Sequence, residues 1–150
     1  MDTEKAIDKA EHNCLEHGVK LTPKRKSVLE ILLESKHPQS AYEIADLYQQ
    51  KLAEKIPAMS VYRMLEFLIE QGLVHKLAST NKFLACSHIT CTHSHRTPQF
   101  LICDNCQTVN EIGIDSSLIA ALEQSISDNH FKLSSPQLEL HGLCEACQTN

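Results

Sequence analysis

Apolar residues recur at helical spacing through most of the first 72 positions, and the breaks between the runs carry helix-start and helix-stop chemistry. Residues 3–17 read as a first helix, with Gly18 placed where a helix ends on a left-handed residue. Thr22-Pro23 joins an N-cap residue to a proline at the first helical position. Behind it Val28, Leu29, Ile31, Leu32 and Leu33 supply a buried stripe to about Ser35, and His37-Pro38 breaks the run. Ser40 and Glu43 have capping-box spacing and open a third helix with Ile44, Ala45, Leu47 and Tyr48 on its apolar side. Pro57-Ala58-Met59 reads as a connector and Ser60 as the cap of a fourth helix. In that helix Val61, Met64, Leu65, Leu68 and Ile69 fall on one face, and Gly72 ends it.

The period then shortens. Residues 73–78 and 82–86 read as two strands around Ser79-Thr80-Asn81, a hairpin. Helices followed by a small hairpin give the order of a winged helix-turn-helix. After Cys86 the pattern is lost: residues 87–98 are rich in His, Ser, Thr and Cys and read as a linker or ligand loop. Strands near 99–103 and 108–113, a helix near 115–129 opened by Asp115, and strands near 131–134 and 137–141 follow. The expected fold class is therefore α+β. A winged helix domain covers 1–85, a linker 86–98, and a small α/β unit 99–150.

Composition changes this picture in one respect. Trp is absent and aromatics are few, while the 150 residues include seven Cys and nine His. Two small units with thin cores call for a staple. The charged start Met1-Asp2-Thr3-Glu4-Lys5 has no apolar run, and no stretch is apolar enough to span a bilayer, so a cytoplasmic protein is expected. In that compartment thiols stay reduced, and Cys pairs read as metal ligands before disulfides. Charge is uneven: residues 1–85 hold 12 Lys/Arg and 12 Asp/Glu, whereas 86–150 hold 2 and 7. Any nucleic-acid contact is expected in the first part, through placed residues rather than bulk charge.

Cys103-Asp104-Asn105-Cys106 and Cys144-Glu145-Ala146-Cys147 are two C-x-x-C knuckles with 37 residues between them. Each turn aims two thiolates at one ion, and two turns complete a tetrahedron around zinc. A closed set of four sulfurs has no open position, which makes the site structural. A looser group comprises His75, Cys86, His88, Cys91, His93, His95 and Glu111. The hairpin can bring His75 and Cys86 together, and a metal held by these two, a linker histidine and Glu111 would join both units. Taken singly, each has an ordinary explanation: a hydrogen-bonded or surface histidine, a small buried thiol, a solvated strand carboxylate. Their convergence is what suggests a regulatory metal site.

For DNA, Tyr42 at the start of the third helix and Arg63 at the start of the fourth are candidate base readers, since recognition helices present their N-terminal residues to the major groove. Thr22, Lys24, Arg25, Ser60, Tyr62 and Lys76 are candidate phosphate contacts, with Tyr62 equally able to serve packing.

Leu21-Thr22-Pro23-Lys24-Arg25, Ser40-Ala41-Tyr42, Ser60-Val61-Tyr62-Arg63, Leu65 through Val74 and the two C-x-x-C pairs together resemble the ferric uptake regulator family. Gly72 through Lys76, Ser79-Thr80-Asn81, Cys86 and His141 through Cys147 are similar to its zinc-responsive branch. The resemblance implies a homodimeric repressor, with 99–150 as dimerisation domain, that binds pseudo-palindromic double-stranded operator DNA when zinc-loaded and controls zinc uptake genes. It implies regulatory zinc ligands at His75, Cys86, a linker histidine and Glu111, with Tyr42 and Arg63 toward bases. The linker departs from the pattern through its extra His88, Cys91, His93 and His95. His95 is the preferred third ligand and His93 the alternative. No catalytic residue, small-molecule substrate or membrane contact is expected. Competing readings are an iron-, manganese- or peroxide-responsive regulator of the same family, disfavoured by the thiolate of Cys86, and a zinc-dependent hydrolase, for which no H-x-E or H-E-x-x-H motif is present.

Overall fold

The computed structural model describes residues 2–91 and 98–149. The chain forms two compact units, Met1–Thr92 and His93–Asn150.

The first unit holds α1 (Thr3–Glu16), α2 (Pro23–Glu34), α3 (Ala41–Leu52), α4 (Ala58–Glu70), β1 (Val74–Leu77) and β2 (Lys82–Ala85). Local chemistry sets most boundaries. His17 caps α1, and Gly18 follows at φ 72°. Thr22 precedes α2 with Pro23 at its first position, although the threonine side chain makes no capping hydrogen bond. The capping box of α3 is complete: Ser40 N donates to Glu43 Oε2 at 2.6 Å, and Glu43 N donates to Ser40 Oγ at 3.1 Å. Gly72, at φ 70°, follows the C-cap of α4.

The start of α4 differs from the sequence expectation. Pro57, not Ser60, is the N-cap, and its carbonyl accepts from the backbone of Ser60 and Val61. Proline's fixed φ with an extended ψ of 146° lets the helix begin one turn earlier. Ser60 therefore lies in the first turn, and Arg63 in the second instead of at the third position.

Val28, Leu29, Ile44, Val61, Leu65 and Leu68 are the centre of the first core, with Leu73, Val74 and Phe83 closing it from the wing. β1 and β2 pair antiparallel, Val74 opposite Ala85 and Leu77 opposite Lys82. A further bridge joins Gln39 to Phe83, so the residue before the Ser40 cap is tied to the wing by two backbone hydrogen bonds of 2.9 and 2.8 Å. Cys86 and Ile89, both buried, belong to this core, so its packing runs past Ala85 into the segment read as linker.

The second unit contains β3 (Gln99–Cys103), β4 (Val109–Ile112), α5 (Ser116–Asp128), β5 (Glu139–Gly142) and the short α6 (Glu145–Gln148). Its sheet has the order β4-β3-β5, with β3 antiparallel to β4 and parallel to β5. Asp115 caps α5 by accepting from Ser117 N. The expected strand at 131–134 is not formed. After α5 the chain turns with His130 at φ 56°, and Phe131 N donates to the Ile126 carbonyl, using that backbone to close the helix end. The place beside β3 is taken by β5. The buried amide of Gln99 secures the approach to β5, donating to the Pro136 carbonyl and accepting from Leu138 N. α6 was not anticipated, since a four-residue helix has no periodicity to detect. No helix among the described residues is long and apolar enough to cross a membrane.

Candidate metal sites and nucleic-acid interface

The four cysteines of the two knuckles converge within the second unit. Cys103 ends β3, Cys106 follows in the turn to β4, and Cys144 and Cys147 come from the start and body of α6. The parallel pairing of β3 with β5, Cys103 opposite Gly142, brings the two knuckles together although 37 residues separate them. All four Sγ atoms lie within 4.8 Å of one another, and Cys106 Sγ is 3.7 Å from Cys144 Sγ. A tetrahedron with zinc–sulfur bonds of about 2.3 Å has edges of about 3.8 Å. The observed spacing thus fits one zinc ion and is far too long for a disulfide.

The polar groups around these sulfurs are arranged to receive charge. Cys144 N donates to Cys103 Sγ at 3.4 Å, and Asn105 Nδ2 donates to Cys147 Sγ at 3.3 Å. The backbone N–H groups of Cys144 and Cys106 pull the Cys103 thiol down to about 6. The Thr108 hydroxyl, 3.1 Å away, lowers Cys106. At Cys147 the Asn105 amide pulls the same way, but the neighbouring sulfurs of Cys144, Cys103 and Cys106, with burial, push it up to about 11. Crowded thiols cannot all ionise without a cation among them. A divalent ion resolves that conflict by displacing the remaining protons. Asn105 and Thr108 are supporting residues that sequence reasoning missed; both lie inside or just beyond the first knuckle. His141, two residues after the start of β5, pairs with Asp104 at 2.8 Å and is not one of the donors.

Of the looser group, His75 and Cys86 come together within the first unit. His75 is half-buried on β1, and Cys86, immediately after β2, is fully buried; a ring nitrogen of the one and Sγ of the other lie within 4.8 Å. The hairpin register produces this, because Cys86 N donates to the Leu73 carbonyl one step beyond the Val74–Ala85 pair. His88 N donates to Cys86 Sγ at 3.4 Å. Glu111 is half-buried on β4, opposite Phe100. His93 and His95 lie outside the described residues. Cys14 on α1 is fully buried, and burial pushes its thiol up.

The candidate DNA contacts share the first unit. Tyr42 is well exposed at the second position of α3, and Arg63 is exposed on α4. Thr22, Lys24, Arg25, Ser60 and Arg63 line one cleft of about 320 Å³ together with Lys55, which sequence reasoning passed over. Several of these cations already have partners. Lys24 Nζ is 3.0 Å from Glu54 Oε1, and that hydrogen bond raises the lysine's proton affinity. The Arg25 guanidinium stacks 3.7 Å above the Phe67 ring and donates to the Lys20 carbonyl. Tyr62 packs edge-on against Phe83, so its ring serves the core. The Lys76 ammonium stands 5.9 Å from the Phe83 ring centre.

A winged helix unit followed by a small sheet unit with a four-cysteine cluster defines a class of protein. The chain belongs to the ferric uptake regulator family, whose model matches residues 16–141. It is similar to the zinc uptake regulation protein of Escherichia coli (strain K12), 36% identical over 148 residues that cover 97% of this chain and 82% of that one. Among solved structures it is similar to a zinc uptake regulator complexed with zinc and DNA, at TM-score 0.85 and 32% identity over 99% of this chain and 97% of that one. Holo XcZur superposes at TM-score 0.80 with 35% identity, covering 96% and 97% of the two chains.

Proposed function

We propose that this chain is a zinc-responsive transcriptional repressor of the cytoplasm, a binding protein and not an enzyme. It acts as a homodimer on double-stranded operator DNA and controls zinc uptake genes. The observation that carries the metal assignment is the thiolate donor of Cys86 beside the His75 imidazole. Soft sulfur favours zinc over iron(II) or manganese(II), which prefer oxygen and nitrogen donors. The likeness to zinc uptake regulators over nearly the whole chain supports the same reading.

In this reading Cys103, Cys106, Cys144 and Cys147 hold a structural zinc. His75, Cys86 and Glu111, completed by His95 or His93, hold the regulatory one. Four sulfurs leave no position for a water, which argues against hydrolysis at the structural site. The homodimer is supported by the second unit's exposed apolar surface: Leu118 on α5 is 63% exposed, and Leu101 and Leu140 on the sheet are 41% and 49% exposed. Tyr42 and Arg63 read bases, while Thr22, Lys24, Arg25, Ser60 and Lys76 meet phosphates.

The regulatory step is a shift of population. A dimer must present its recognition elements about one helical turn apart, or a multiple of that. A ligand set drawn from both units lets zinc favour the arrangements that meet this spacing, with coupling of about 1–3 kcal/mol as is usual in allostery. The test is fluorescence anisotropy on the promoter beside the chain's own gene, with buffered zinc titrated into wild type and Cys86→Ser. The mutant is expected to stay dimeric, to keep its structural zinc, and to lose the response at low zinc. A mutant that answers zinc as wild type does would place the sensor elsewhere. A wild type that answers iron or manganese and ignores zinc would overturn the metal assignment alone.

A further inference from the structure

The basic cleft between the start of α2 and the start of α4 collects Lys24, Arg25, Lys55 and Arg63 around the hydroxyls of Thr22 and Ser60. A carboxylate meets one of these cations, Lys24. α3 ends at Leu52, Ala53 takes a left-handed backbone (φ 51°, ψ 28°), and the turn delivers Glu54 to Lys24 at 3.0 Å. The carboxylate has a second contact: the hydroxyl of Tyr48, a residue only 2% exposed, donates weakly to Glu54 Oε2 at 3.5 Å. Glu54 is thus held between a buried ring and a solvated ammonium, with its remaining face in solvent.

We propose that Glu54 is an intramolecular competitor for Lys24. It occupies the ammonium that a DNA phosphate would otherwise take, and so limits the sequence-independent part of the chain's affinity for duplex DNA. The inference rests on the DNA-binding reading above.

A lysine that enters the phosphate backbone unpaired neutralises one phosphate and releases about 0.9 of a condensed counterion. A lysine that must first leave a carboxylate gains less, because the freed carboxylate then lies beside the backbone and holds back a cation. Both side chains are largely solvated, 61% exposed at Lys24 and 50% at Glu54, so the pair is weak by itself. DNA, with one charge per about 1.7 Å, still outcompetes it. Glu54 therefore tunes affinity without blocking it. By weakening contacts that carry no sequence information, it leaves a larger share of the binding energy to base readers such as Arg63.

The test uses the full-length, zinc-loaded protein and a mixed-sequence duplex of about three helical turns, with anisotropy read across a salt series. Glu54→Gln, Lys24→Ala and the double variant form a cycle. Glu54→Gln keeps the side chain's size, and its melting temperature is checked against wild type. On the wild-type background it is expected to tighten binding roughly three- to fivefold per protomer at low salt. The log–log salt slope should steepen by about one per protomer. With Lys24 absent, the same change should have no effect. Equal tightening on both backgrounds would mean diffuse repulsion between a carboxylate and DNA, and would overturn the competition. So would a wild type that binds the duplex and a Glu54→Gln variant that binds it no better. A wild type with no affinity for any duplex is a separate outcome: it removes the DNA-binding reading and this inference together.

Discussion

Glu43 joins the start of α3, where Tyr42 is exposed, to the wing, and its removal should loosen both. Its carboxylate accepts from Ser40 N at 2.6 Å and lies 3.4 Å from Lys82 Nζ on β2. A cap of this kind contributes about 1 kcal/mol. The Lys82 pair adds little, because the two side chains are 46% and 39% exposed and water screens them. Glu43→Ala should therefore cost about 1 kcal/mol. That is about 4–8 °C in the melting of a unit the size of Met1–Thr92. The cost should also depend on pH. The Ser40 backbone N–H, and secondarily Lys82, hold the Glu43 carboxyl below its ordinary value. A depressed carboxylate stabilises the fold fully above its unfolded value of about 4.3, and that contribution is lost as pH falls through the folded value. The gap between wild type and Glu43→Gln should thus be constant from pH 7 to about pH 5 and narrow below it. Thermal melts followed by far-UV circular dichroism, at each pH for both proteins, measure the gap and cancel effects common to the two, including zinc loss in acid. A gap that widens as pH falls, or a Glu43→Ala variant that melts with wild type at pH 7, would refute the reasoning.

Two further predictions concern the sites. Arg63→Ala should lose about 1–3 kcal/mol of discrimination between operator and random DNA if the guanidinium pairs with a base, whereas Lys24→Ala should weaken all sequences alike; competition anisotropy separates the two. Cys103→Ser should remove one tightly held zinc per chain, measured by atomic emission after mild chelation, and with it the second unit's fold or dimerisation; a dimeric variant with unchanged zinc and stability would sink the four-thiolate assignment.

The helical half was legible because its boundaries are local chemistry. Ser40 with Glu43, Thr22 with Pro23, and the glycines at 18 and 72 each act within a few residues, and each stands where the pattern puts it. Pro57 misled because it satisfies two descriptions, connector and N-cap, and only the backbone hydrogen bonds from Ser60 and Val61 decide between them. The missing strand at 131–134 failed for a non-local reason: Phe131-Lys132-Leu133 has the residue types of a strand, but a strand exists only with a partner, and β5 already lies beside β3. The grouping of Cys103, Cys106, Cys144 and Cys147 was legible from spacing alone. The engagement of Lys24 by Glu54 was not, since thirty positions separate them and only the left-handed turn at Ala53 brings them together.

The two donor groups also differ in what the fold asks of them. Among the described residues of the second unit only Gln99, Phe100, Ile102 and Cys103 are buried, and α5 buries none of its side chains. A single copy of a unit that thin gains little from apolar burial, so on the proposed assignment an ion clamping α6 to the end of β3 adds to what the dimer buries, and an ion that holds a fold is poorly suited to report on its own supply. The first unit is the opposite case. Cys86 is one member of a cluster of buried side chains that runs from Ala6 to Ile89. On the proposed assignment, the pair of His75 and Cys86 can therefore gain or lose an ion while the winged helix stays folded. A ligand that leaves the fold intact in both states is free to act on the population of arrangements, which is what a sensor requires. On the proposed assignment, the chain separates the permanent ion from the variable one by placing the first where the core is thin and the second where the core is well packed.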